Sequence, residues 1–374
     1  MKTWNPALGL VLSGGGARGA YQVGVCRAIA EIVPESGPFP IYSGTSAGAV
    51  NAVVLASHAN HFAHGVERLE HFWGRLTCAQ VYRTDSLTLM LSALRWLLSV
   101  GSGGLLPVAP PALLDNRPLR HLLETSIQWS ALQERIAARD LQGVAVTASA
   151  YQRASAVSFF QATDAVQPWQ RSRRIGQPVT LSPDHVLASA ALPLLFPAEA
   201  VGHEYYGDGG MRLKAPLSPA IHLGAERILV IGTRDDRPDP APLEPMAYPG
   251  PASIGGYLLD TVFMDSLEAD LARARRTNQL LAAMTSRQRE ASGLRQLQTL
   301  VIKPSRDLRE LTAAHAKRMP LAVRLLLRAL GGWGRDWRMA SYLLFEAPYL
   351  HDLMALGYED GCRARARLEA FLQG

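Results

Sequence analysis

Five residues, Gly44-Thr45-Ser46-Ala47-Gly48, place the tightest demand on how this chain can fold. They follow an apolar segment, Phe39 to Tyr42, and open a small-residue run, Ala47 to Ala59, that reads as a helix able to lie close against a sheet. A serine bracketed by glycines where a strand turns into a helix is the pattern of a nucleophile elbow. Side chains at the flanking positions would not fit so tight a turn, and glycine fills them. The strain leaves the Ser46 hydroxyl exposed, with the helix N-terminus beneath it. The same five residues also suit an ordinary small-residue turn, so their meaning depends on what the rest of the chain brings to them.

Upstream, Leu8 to Ser13 reads as a short buried strand running into Gly14-Gly15-Gly16-Ala17-Arg18-Gly19, and Ala20 to Val33 has helical spacing. A strand, a glycine loop and a helix aim several backbone N–H groups at one point, which must hold something negative. Gly14, Gly16 and Gly19 also satisfy the dinucleotide fingerprint, with Glu31 or Glu35 as the candidate ribose acid. No strand ending in an acid follows at the expected distance, and the chain instead goes directly to the Ser46 turn. If loop and turn face each other, the anion is a tetrahedral oxyanion rather than a pyrophosphate.

Further along, His61 to Leu76 is helical, Ser86 to Val100 is strongly apolar, and Gly101 to Pro111 is a Gly/Pro-rich loop. The stretch from 86 to 111 suits either a buried helix with a connector or a segment that meets lipid. Leu119 to Leu123 and Ala131 to Arg139 are expected as short helices, Gly143 to Tyr151 and Ala156 to Gln161 as neighbouring strands. Ser182 caps a short helix to Ala191, Gly207 to Gly210 is a turn, and Arg227 to Thr233 is a buried parallel strand. Arg237 to Pro251 is a Pro-rich loop, Leu258 to Met284 a long helix, Thr299 to Lys303 another strand, and the remainder helical.

Net charge is +6, carried almost wholly by arginine, since lysine stands only at positions 2, 214, 303 and 317. That favours anionic partners, a lipid surface or a nucleic acid. The arginines are spread along the chain and no RNA-binding or zinc-finger pattern occurs, so nucleic acid is not expected. Leu321 to Trp333 is basic and amphipathic; it suits either packing with snorkelling arginines or contact with an anionic membrane surface. Cys26, Cys78 and Cys362 lie too far apart to suggest a disulfide framework or a zinc site, which points to a reducing compartment. Neither a secretory leader nor a membrane-spanning run is expected, and the location is read as cytoplasmic.

A serine nucleophile needs a base. The histidines His185, His203 and His222 have no marked context and read as surface or packing residues. Asp208, bracketed by Gly207, Gly209 and Gly210, is the better candidate, because burial beside an apolar pocket would raise its pKa toward a useful value. Alone, Asp-Gly-Gly is also an ordinary turn.

Taken in order, Gly14 to Gly19, Gly44 to Gly48 and Asp208-Gly209-Gly210 through Pro216 resemble the three motifs of the patatin-like phospholipase family. Ala188-Ser189-Ala190-Ala191-Leu192-Pro193 and Phe196-Pro197 are also similar to its bacterial members. The resemblance implies an α/β, three-layer α/β/α fold with a mostly parallel central sheet and a C-terminal helical extension. It divides the chain into a catalytic core at 8–233, a helix and strand at 234–304 and the extension at 305–374. It implies Ser46 as nucleophile, Asp208 as general base and an oxyanion hole around Gly15, Gly16 and Ala17 in the loop Gly14 to Gly19. Arg18 would close that loop or help hold an anionic headgroup. The substrate would be a phospholipid or other lipid ester, cleaved without metal or cofactor. Lys214 departs from the Asn often found there in the family, either meeting phosphate or loosening Asp208. Other readings stay open: a nucleotide-binding protein, a hydrolase regulated by a nucleotide or partner, or a membrane-associated scaffold with a decayed site.

Overall fold

A computed structural model describes residues 7–33, 37–85, 112–237, 250–334 and 337–373. The expectations for 86–111, Glu35 and most of the loop from Arg237 to Pro251 lie outside the described residues. The strands are β1 (Leu8–Leu12), β2 (Ile41–Thr45), β3 (Gly143–Ala150), β4 (Ser155–Ala162), β5 (Trp169–Arg171), β6 (Arg174–Pro178), β7 (Glu199–Val201), β8 (Glu204–Asp208), β9 (Arg227–Ile231) and β10 (Gln298–Ile302). Before the middle of the sheet come helices α1 (Ala20–Ile32), α2 (Ala47–Ser57), α3 (Phe62–Gly74), α4 (Cys78–Val81), α5 (Arg117–Ser126) and α6 (Trp129–Ala137). After it come α7 (Pro183–Ala190), α8 (Ser218–His222), α9 (Pro251–Ala283) and α10 (Ser286–Ser292). The last are α11 (Leu308–His315), α12 (Leu321–Ala329), α13 (Arg338–Leu343), α14 (Ala347–Arg363) and α15 (Arg365–Gln373).

All these strands join one sheet in the order β10-β9-β1-β2-β3-β4-β6-β5, parallel from β10 to β3. Parallel strands covered on both faces must be apolar on both, which is why β1 and β9 read as nearly continuous apolar runs. Leu10, Leu12, Tyr42, Val146 and Ile231 point to one core, shared with α1 and α2. Val11, Ile41, Ala145, Ile228 and Val230 point to the other, closed by Ala220 of α8 and by Leu267 and Leu271 of α9. Helices therefore cover both faces, and the fold is the three-layer α/β/α arrangement.

The sheet departs from a simple parallel order at β3. β2 pairs in parallel with the first half of β3, ending at Thr45 opposite Thr147. β8 pairs antiparallel with the second half, ending at Asp208 opposite Ala148. The two strands thus approach one another end to end along a single edge of β3. Strands β5 to β8 differ from the sequence expectation, which held no strand there. They are short, partly exposed and lack apolar alternation, and the turn placed at Gly207 begins instead at Gly209, after the strand. α9 also begins earlier than expected, with Pro251 in its first turn, because Gly255-Gly256 weakens the helical signal.

The C-terminal helices pack back on the first layer. α14 crosses α1 so closely that a Cβ at Gly24 would overlap the Met354 carbonyl, and one at Gly357 the Tyr21 carbonyl. Val323 and Leu327 of α12 are buried, while Leu321 and Leu325 are exposed. Among the described residues, no helix is long and apolar enough to cross a membrane. Gly357→Val should force α14 off α1 at a cost of about 1–3 kcal/mol, the usual range for overpacking, seen as a lower urea midpoint.

Candidate functional site

Ser46 occupies the position immediately after β2, with φ 54° and ψ −126°. A non-glycine residue there stores about 1–3 kcal/mol of strain and persists only where its surroundings hold it. They do so from several sides. A Cβ at Gly44 would overlap the Gly48 carbonyl, and one at Gly48 the Leu12 carbonyl, so strand, turn and helix are in backbone contact. The Ser46 N–H donates to Ser189 Oγ at 2.9 Å, and Ser189 donates in turn to the Thr147 carbonyl at 2.6 Å. That N–H is thus spent on holding the elbow.

Asp208 is held with equal care. Its N–H donates to the Ala191 carbonyl at 2.8 Å, and its Oδ1 accepts from the Gly210 N–H at 2.9 Å. Ser149 Oγ donates to the Gly209 carbonyl at 3.3 Å, tying the loop to β3. Asp208 is fully buried, and Oδ2 makes no hydrogen bond of good geometry within the described residues. Burial pushes the carboxyl up to about 7, against the opposing pull of the nearby Ser46 side chain and the Gly210 N–H. Because Thr45 pairs with Thr147 and Asp208 with Ala148, the register of β3 sets nucleophile candidate and acid side by side.

The glycine loop forms the third part. Gly16 to Gly19 make a single 3-10 turn before α1, leaving early N–H groups without helical acceptors. Gly16 and Ser46 line one small apolar pocket, whose walls include Phe72, Trp73, Phe196 and Phe345. A buried amide relay underlies the loop. Gln22 Nε2 donates to the carbonyls of Ser13 and Ile231, and Asn51 Nδ2 donates to Gly19 O and Gln22 Oε1. Trp73 Nε1 donates to Asn51 Oδ1 at 2.8 Å, linking the pocket wall to the same relay.

The family model for patatin-like phospholipases matches residues 10–221, more than half of the chain. The chain belongs to the patatin-like phospholipase family. A stretch of 80 residues, 21% of the chain, is 43% identical to Lysophospholipase NTE1 of Chaetomium globosum and covers 5% of that protein's length. The crystal structure of VipD from Legionella pneumophila aligns over 61% of this chain and 50% of its own, at 16% identity and a TM-score of 0.31, too loose to carry weight.

Within this patatin-like domain the motif residues converge, and the other candidates stay apart. His185 packs on Phe159 and turns its Nδ1 to Ser182, while His222 stacks on Trp169 beneath the opposite face of the sheet. Glu31 lies in the last turn of α1, about 18 Å along the helix from Gly19, where its carboxylate accepts from Tyr358. It is too far to serve a ligand on the glycine loop. Lys214 is exposed, with its N–H donated to Arg212 O. Arg18 is 3% exposed, and its side chain is directed to Asp260, Ser341 and Tyr342. Ser189, Gln22, Asn51 and Asp260 complete the arrangement. Of these, Ser189 stands in the Ala188 to Pro193 run, Gln22 and Asn51 are visible in the sequence as polar residues among small apolar ones, and Asp260 has no local signal. No cluster of His, Cys, Asp or Glu that could hold a metal occurs among the described residues.

The raised pKa of Asp208 carries a consequence for stability. A carboxyl whose folded pKa lies above its unfolded value stabilises fully below about pH 4, and that contribution is lost as pH rises through about 7. Asp208→Asn should remove this slope, so that thermal midpoints of the variant exceed those of the native chain above pH 7 and converge with them in acid.

Proposed function

We propose that the chain is a serine acyl hydrolase of lipid esters, a phospholipase A or lysophospholipase, working through Ser46 and Asp208. The observation that carries this reading is the shared edge of β3, which brings a strained serine beside a buried acid of raised pKa. In the first half-reaction the Ser46 hydroxyl oxygen attacks the acyl carbonyl carbon and its proton passes to Asp208 Oδ2. The developing oxyanion accepts from N–H groups of the glycine loop at Gly15, Gly16 and Ala17. The intermediate collapses with expulsion of the alcohol, which takes the proton from Asp208. Water then gives a proton to Asp208 as its oxygen attacks the acyl-serine carbonyl, and the second intermediate collapses to the fatty acid as the departing Ser46 oxygen takes that proton back from Asp208.

The pocket supports an acyl substrate. Its walls, Val50, Phe72, Trp73, Leu76, Val81 and Phe196 among them, offer apolar surface and almost no polar partner, as an alkyl chain requires. The name of the relative NTE1, a lysophospholipase, fits the same class. Because such substrates sit in aggregates, the reading includes a cytoplasmic enzyme in peripheral contact with an anionic lipid surface. Leu321 and Leu325, exposed one turn apart on α12 near Arg328, are the surface we assign to it.

The test is product analysis by mass spectrometry on a panel of phospholipids, lysophospholipids and neutral esters. Ser46→Ala and Asp208→Asn should each lose at least about a thousandfold in kcat, within the range of rate enhancement that nucleophile and base together supply. Full activity in either folded variant would refute the assignment. In the native chain kcat/KM should climb about tenfold per pH unit in acid and level off above pH 7, because the base must be ionised.

A further inference from the structure

Arg18 is the charged residue of the glycine loop, and it serves neither the pocket nor solvent. Its Nε donates to Ser341 Oγ at 2.8 Å, its Nη1 lies 3.0 Å from Asp260 Oδ1 and 3.3 Å from the Tyr342 hydroxyl, and its guanidinium stacks 4.2 Å from the Tyr342 ring centre. The Tyr342 hydroxyl donates to Asp260 Oδ1 at 2.7 Å, and Arg338 approaches Asp260 Oδ2 at 3.3 Å. Asp260 itself is 3% exposed. Among the described residues, these side-chain partners of Arg18 come from α9 and α13, beyond the residues that the family model matches.

α13 touches the loop a second time. A Cβ at Gly16 would overlap the Tyr342 carbonyl, so the two backbones are in contact, and Tyr342 and Phe345 also line the Ser46 pocket. The loop is thus gripped by its backbone at Gly16 and by its side chain two residues on.

Stability alone does not account for this ion pair. Burying two charges costs several kcal/mol per ion, and well-packed apolar residues in the same space often do as well. A glycine-rich loop, by contrast, has unusually large backbone freedom to lose. Its N–H groups are useful to an oxyanion only when already aimed. We infer that Asp260 is a positioning residue, which acts through Arg18, with Tyr342, to hold the glycine loop in its working shape. The inference rests on the serine hydrolase reading and adds to it a part supplied by the C-terminal third.

The experiment uses the full chain, a chromogenic ester and a fluorophosphonate probe. Asp260→Asn breaks the pair and leaves Arg18 buried without its counter-charge; Arg18→Met with Asp260→Leu removes both charges, and decides the matter if the single variant does not fold. In a folded variant kcat should fall about a hundredfold, the penalty of a displacement near 1 Å, while KM stays within about threefold. Probe labelling of Ser46 should slow in parallel. A merely structural pair would leave kcat and labelling unchanged in the folded double variant, and that result overturns the inference alone. A native chain inert to both ester and probe would remove the hydrolase reading and this inference with it.

Discussion

One edge of β3 is shared by two strands running toward each other, and much else follows from that division. β2 uses the edge as far as Thr147 and β8 takes it from Ala148. Side chains at the two strand ends have nowhere to be but together. The helix-bearing connections that bring each strand there span most of the chain between Ser46 and Asp208, yet the final placement depends on a single step of hydrogen-bond register. A slip of β8 by one residue would turn the Asp208 side chain to the opposite face of the sheet.

The neighbouring bonds read as protection of that register. Ser189 ties Ser46 to Thr147, Ser149 ties Gly209 to the same strand, and the Ala191 carbonyl receives the Asp208 N–H. Each is a buried polar group whose partner is also buried, so breaking one strands the other in a low-dielectric interior. The glycine loop is fastened by different means. Amides of Gln22 and Asn51 hold it from α1 and α2, and Thr233 donates to the Gly14 carbonyl at 2.6 Å from the end of β9.

What was legible in the sequence follows from how local each signal is. β1 and β9 could be read because central strands leave nearly continuous apolar runs, and β10, at the sheet's edge, by its Leu300-Val301-Ile302 run. α7 could be read from Ser182 and the proline after it, which begin a helix through a few neighbouring residues. β5 to β8 could not, because strands of three to five residues with one polar face have little pattern to offer. The motif residues stand in short contiguous runs and were visible for that reason. The pairings that support them were not: Ser189 lies 143 positions from Ser46, Asp260 242 from Arg18, and Ser341 323. Nothing in the local spacing of Asp260 or Ser341 announces a buried partner so distant.

The pocket beside Ser46 draws its walls from residues more than 300 positions apart, Gly16 on one side and Tyr342 and Phe345 on the other. During synthesis on a ribosome, the elbow and glycine loop emerge long before the residues that enclose them. A nascent polypeptide therefore presents Ser46 without a finished cavity until the residues of α13 and Phe345 have been made and packed against it.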